Sequence, residues 1–229
     1  MHPIVCLITR AMSPGADHED ALVDRVATAA HAGVHLIQIR QAALEARALY
    51  RIVTRAVGAV TGTAARVLVN ERLDVALAAG AHGVHLRGAS MPSARVRTIA
   101  PPGFLIGRSV HSTDEITRVV SGGGLDYLLL GTVFATSSKP GTVGVGTDAL
   151  AAACAGVALP VLAVGGIGLQ QLSSVSRAGA AGWAAIGLFA DCPREVLPSV
   201  ISRAVFAFDS FGDVPYHEFV NGGRRPGRA

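Results

Sequence analysis

The sequence predicts an α/β protein folded as a closed (β/α)8 barrel. It forms a single domain over residues 1–208, with a short C-terminal tail over 209–229. Three observations carry this. Short β-branched runs alternate eight times with Ala-rich stretches of helical period. The strand-like runs are apolar on both faces, as in a parallel sheet covered by helices. The chain of 229 residues, half of them hydrophobic, suits eight such units better than two small domains.

The units follow in order. The run Ile4–Thr9 precedes a helix over Asp17–Ala32, and His35–Arg40 precedes Leu44–Val60. Arg66–Asn70 then leads to Asp74–Ala79, and Gly83–Leu86 leads to Pro92–Ile99. Phe104–His111 runs into Asp114–Ser121, where Ser112, Thr113, Asp114 and Glu115 offer caps before an apolar run. Asp126–Phe134 precedes Asp148–Gly156, with Thr147 and Asp148 as cap candidates. Pro160–Val164 with Leu169–Ala178 and Gly182–Ile186 with Val196–Phe206 complete the set. An open doubly wound sheet is the alternative, but no GxGxxG follows the first strand. From Asp209 the pattern fails, and the tail reads as a frayed end. Its three Arg could grip nucleic acid, but Asp209, Asp213 and Glu218 balance them.

Composition excludes several classes. Charged residues are 16% and the net charge is +4, which argues against disorder. Nineteen of the 20 basic residues are Arg, scattered rather than clustered, so no nucleic-acid footprint forms. Cys6, Cys154 and Cys192 make neither a disulfide framework nor a zinc pattern. Gly, Pro and charged residues interrupt every apolar run, so no membrane partner is expected. A reducing, cytoplasmic setting fits best.

Barrel enzymes place their chemistry at the C-terminal strand ends and the loops that follow. Polar residues there are Gln38 and Arg40, which share a face by the two-residue period, then Asn70, His85, Ser109 and His111. The loop holding Thr136 and the single lysine, Lys139, follows the sixth strand. Glycine loops follow the last two strands, at Gly165 and Gly166 and at Ile186 and Gly187. Their amides suit a phosphate, although tight turns alone would also call for glycine. His111 ends a strand at the mouth, where acid–base chemistry is done. His82 and His85, three apart on one strand, face opposite sides and predict no metal site. His31 and His35 read as packing or surface residues.

These segments together resemble the thiamine-phosphate synthase and TenI family of TIM barrels. The matching stretches are Gln38–Arg40, Val69–Arg72, Gly83–Leu86, Ile106–Ser112, Asp126–Gly131 leading to Thr136–Lys139, Ala163–Ile167 and Ala178–Ile186. The resemblance implies two enzymatic branches. The synthase joins an aminopyrimidine diphosphate to a thiazole phosphate and expels pyrophosphate. It uses Mg²⁺ held by two Asp, and a Lys near the second strand helps hold the diphosphate. Those positions here are Glu71, Ser90 and Ala42. The expectation is therefore a thiazole tautomerase of the TenI branch, an isomerase with His111 as the proton-transfer residue and no cofactor. Gln38, Arg40, Asn70, Ser109, Thr136, Lys139, Gly165, Gly166, Ile186 and Gly187 would bind a small heterocyclic phosphate. The alternatives are a thiamine-phosphate synthase, in which case Mg²⁺ is required, and a non-catalytic sensor of thiazole or thiamine phosphates. A homodimer is compatible with all three.

Overall fold

The computed structural model describes residues 3–13, 15–136, 141 and 143–209. It alternates β1 (Ile4–Ile8), α1 (Ala16–His31), β2 (Leu36–Ile39), α2 (Ala46–Ala59), β3 (Arg66–Asn70), α3 (Leu73–Ala78), β4 (Gly83–Leu86) and α4 (Ser93–Ile99). It continues with β5 (Leu105–Val110), α5 (Thr113–Ser121), β6 (Tyr127–Gly131), α6 (Gly146–Gly156), β7 (Val161–Val164), α7 (Leu172–Arg177) and β8 (Gly182–Ala185). Then come α8 (Gly187–Ala190), a 3-10 turn (Arg194–Val196) and α9 (Leu197–Asp209). The eight strands pair in sequence order, all parallel, and β8 returns to β1. The expected (β/α)8 barrel is therefore the observed fold.

The observed element ends lie within three residues of the expected ones, and three differences fall in the segments after β6, β7 and β8. β6 ends at Gly131, and Thr132–Phe134 leave the strand although Val133 and Phe134 still bond to the carbonyls of Val164 and Gly165. The expected helix from Leu169 begins at Leu172. The four-residue α8 was not expected, because one turn is too short to show a helical period. All of the expected tail except Asp209, and Lys139 as well, lies outside the described residues.

Register divides each strand into two faces. Outward residues such as Val5, Ile37, Val67 and Val84 pack under the helices. α2 shows why its sequence is helical: Leu49, Ile52, Val53 and Ala56 recur at the spacing of one buried stripe. Trp183, outward on β8, stacks on Phe208 of α9 with ring centroids 5.3 Å apart. The inward set contains Ile4, Cys6, Ile8, Leu36, Leu68, Tyr127, Leu129, Leu162 and Ala184. These side chains fill the barrel, so it is a packed core rather than a pore. Burial pushes the Cys6 thiol up to about 12.

The largest inward side chain is Tyr127, fully buried. It fits because its register partner on β5 is Gly107, where a Cβ would fall on the Tyr127 ring. The phenol oxygen meets His85 Nδ1 at 3.0 Å, and His85 Nε2 meets Ser109 Oγ at 2.8 Å. Burial in this apolar interior pushes the His85 imidazole down to about 3, so the ring is neutral. A neutral ring offers one donor and one acceptor, and the two hydroxyls satisfy both.

Two outcomes follow from this interior. Gly107→Ala should lower stability by about 1–3 kcal/mol in urea unfolding, because the added methyl has no space to enter. The second concerns pH. His85 is depressed in the folded state, so the unfolded chain takes up the proton first as pH falls. Its stability contribution is complete above its ordinary value of 6.5 and is lost between there and about 3. Urea unfolding of the parent chain and of His85→Gln, compared at pH 7 and 4.5, should show the parent losing roughly 1 kcal/mol more per pH unit. Equal slopes would show that the ring is not held neutral.

Candidate functional site

The C-terminal ends of the strands gather most of the residues singled out in the sequence. Gln38 and Asn70 point inward from β2 and β3, and Gln38 Nε2 donates to Asn70 Oδ1 at 2.8 Å. Gln38 is 2% exposed, and its Oε1 is buried with no donor among the described residues. A buried acceptor left bare is costly and calls for an incoming N–H. Arg40 lies one residue beyond β2 and is exposed, with its amide held by Thr9 Oγ1 at 2.8 Å. Ser109 is half-buried and oriented by His85 from below.

His111 is exposed, just past β5. Its Nδ1 bonds the Gly131 carbonyl at the end of β6. A carbonyl can only accept, so Nδ1 carries the hydrogen, and in the neutral ring Nε2 keeps its lone pair. The backbone around it is capped as the sequence suggested. Ser112 Oγ accepts from the Glu115 amide at 3.2 Å, and the Glu115 carboxylate accepts from the His111 amide at 2.8 Å.

The glycine loops lie across the mouth. Gly165 and Gly166 take positive φ of 97° and 65°. A Cβ at Gly165 would come within 2.7 Å of Thr132 Cγ2, so close packing against the β6 loop also demands glycine there. Among the described residues no acceptor takes the amides of Gly166 or Gly187. Ile186 caps α8 and Gly187 begins it. A Cβ on Gly187 would come within 2.9 Å of Asp191 Oδ2. That carboxylate is paired with Arg10 at 2.6 Å, so the anion beside the glycine carries its own counter-charge. Thr136 is half-buried at the edge of the β6 loop, and Lys139 lies outside the described residues.

The ends of β3 and β4 hold a cluster that the sequence did not bring together. Glu71 follows β3 with φ 65°, a left-handed conformation rare outside glycine. Its Oε1 accepts from the Arg87 amide at 2.6 Å and from the Ser90 hydroxyl, and its Oε2 lies 3.2 Å from Arg87 Nε. Desolvation pushes the Glu71 carboxyl up, but the bonds from Ser90 and Arg87 outweigh it and hold it below the usual carboxylate range. From β5, the buried Arg108 reaches the carbonyls of Gly88 and Ser90 at 3.2 Å and that of Met91 at 2.5 Å. The loop over residues 87–91 is thus held by an anion at its donors and by a cation at its acceptors. Neither Arg87 nor Arg108 stood out in the sequence, because a scattered Arg carries no motif.

The Mg²⁺ implied by the family resemblance does not fit these residues. It demands open hard-oxygen ligands in octahedral geometry. Glu71 is the one carboxylate at the two aligned positions, and protein donors already occupy both its oxygens. The Ser90 hydroxyl gives its proton to Glu71, and a guanidinium stands beside them. No cluster of three His, Cys, Asp or Glu suited to a metal occurs among the described residues. Among the same residues no helix is long and apolar enough to cross a membrane.

Comparison with known proteins corrects the expected activity. A thiamine-phosphate synthase of Methanoculleus marisnigri is 42% identical over 164 residues, covering 71% of this chain and 77% of that one. A thiamine-phosphate synthase of Roseiflexus is 36% identical over 205 residues, covering 89% and 84%. The solved thiamine phosphate pyrophosphorylase from Pyrococcus furiosus superposes with a TM-score of 0.77 at 28% identity, covering 90% of this chain and 96% of its own. These relatives carry the synthase name, so the expected thiazole tautomerase, an isomerase, is overturned in favour of the transferase alternative. The tautomerase expectation read positions 71 and 90 as a weakened pair of metal ligands, whereas the structure bonds the two side chains to each other. Its expected proton carrier, His111, bonds the Gly131 carbonyl through Nδ1. The family pattern described as Thiamine monophosphate synthase matches residues 5–189, and the chain belongs to that family.

Proposed function

We propose that this chain couples an aminopyrimidine diphosphate to a thiazole phosphate and releases pyrophosphate. The observation that carries the reading, beside the family, is the bare Oε1 of Gln38. An aminopyrimidine brings the N–H donor that this buried acceptor lacks, and Asn70, already bonded to Gln38, lies next to it.

The reaction replaces an oxygen of the diphosphate on carbon with the thiazole ring nitrogen. The nucleophile has its own lone pair, so no C–H proton must be removed. The barrier lies in bringing two anionic substrates together and in stabilising charge on the leaving group. Arg40, at the end of β2, would meet the diphosphate. The amides of Gly166 and Gly187, with Gly165 and Ile186 shaping the loops, would anchor the thiazole phosphate. Ser109 would contact the substrates in an orientation set by His85. His111, with Nδ1 committed to Gly131, would present Nε2 to them. Thr136 would contact a substrate from the β6 side, and Lys139 would add a cation for its phosphate.

The test is direct. The purified chain, given both substrates, should form thiamine phosphate and pyrophosphate in equal amounts. Gln38→Leu should raise KM for the aminopyrimidine diphosphate about tenfold or more, with a smaller fall in kcat, because a bonding partner is lost from both ground and transition states. Absence of thiamine phosphate both with Mg²⁺ and with chelator would overturn the assignment.

A further inference from the structure

We infer that Arg87 takes the place of a protein-held divalent cation at the diphosphate, and that Glu71 acts as the residue that positions it. The inference rests on the synthase reading above. It starts from the misfit already described: the position expected to ligate metal is occupied by a carboxylate whose oxygens are both engaged.

The geometry shows what Glu71 does instead. It takes the Nε edge of Arg87 at 3.2 Å and the Arg87 amide at 2.6 Å, holding that residue at both ends. Among the described residues, no acceptor takes the terminal amino groups of the guanidinium. The side chain is 68% exposed at the C-terminal end of β4, on the face where the strand ends gather. A planar fork anchored on one edge and open on the other matches two oxygens of a diphosphate. Arg40 stands two strands away at the end of β2, with Asn70 on β3 between them. A diphosphate over β3 would lie between two guanidinium groups.

The support beneath Arg87 is rigid. Ser90 Oγ accepts a second bond from the Arg87 amide at 2.7 Å. Arg108 holds the carbonyls of Gly88, Ser90 and Met91. Gly88 permits this closeness, since a Cβ there would come within 2.9 Å of Glu115 Oε1. The left-handed backbone at Glu71 fits the same purpose: strain at a non-glycine residue persists where its surroundings impose it.

Inorganic pyrophosphate, the product of the proposed reaction, is the probe. Its binding to the full chain is measured by calorimetry in chelator and again in excess Mg²⁺, with Mg²⁺ alone as a third titration. The inference expects binding in chelator and no heat from Mg²⁺ alone. Arg87→Ala should weaken binding in chelator tenfold or more. Arg87→Lys should fail to restore it, because an ammonium has no fork. Glu71→Gln should weaken binding in chelator by less than Arg87→Ala, as expected of a positioning residue. Arg87 is exposed, so its variants should fold, and circular dichroism checks this. Binding that requires Mg²⁺, or an Arg87→Ala chain that binds like the parent, would overturn the inference and leave the synthase reading standing. Pyrophosphate binding in neither condition would overturn both.

Discussion

The fit of Tyr127 against Gly107 is the contact on which the rest of the barrel depends. Closing eight strands creates an interior that must be filled to crystal-like density, and no other inward side chain is as large. The ring also begins a polar chain through that interior. Its hydroxyl meets His85, and His85 meets Ser109 at the mouth. The position of a candidate site residue is thus set from below, by packing, rather than by its own loop. A rigid second layer of this kind is what a site needs to hold substrates in reacting geometry.

A different device governs the strand-4 side of the mouth. There a surface loop is made stiff by opposite charges on opposite groups: a carboxylate on its donors and a guanidinium on its carbonyls. The carboxylate is bonded at both oxygens and the guanidinium at both amino groups, while Arg108 Nε has no partner among the described residues. Glu71 and Glu115 are also the negative charges that Arg108 feels, while burial acts in the other direction. The loop after β4 is therefore a built part of the site and not a connection between elements.

Much of this was legible in the chain. Alternating apolar runs and helical stripes, as in α2, are short-range patterns, and they locate the eight units to within three residues. Candidate site residues were legible for the same reason, since Gln38, Asn70 and Ser109 are polar residues at the ends of apolar runs. What was not legible is long-range. The contact between Glu71 and Ser90 spans 19 residues and joins two strand ends. The partners of His85 lie on β5 and β6, so the sequence showed a histidine with no visible job. The tautomerase expectation was drawn at this level: it read Glu71 and Ser90 as weakened metal ligands, and the bond between them was not visible in the chain.

Cys6 offers a last consequence. It lies on β1, inside the barrel, where strand pairing with β2 and β8 closes the wall around it. With its ionisation pushed up to about 12, the reactive thiolate is negligible at neutral pH while the wall is shut. An alkylating reagent can reach it only after β1 separates from a neighbour. The natural sequence therefore contains an internal clock for barrel breathing: the labelling rate at Cys6 reports how often the first strand lets go.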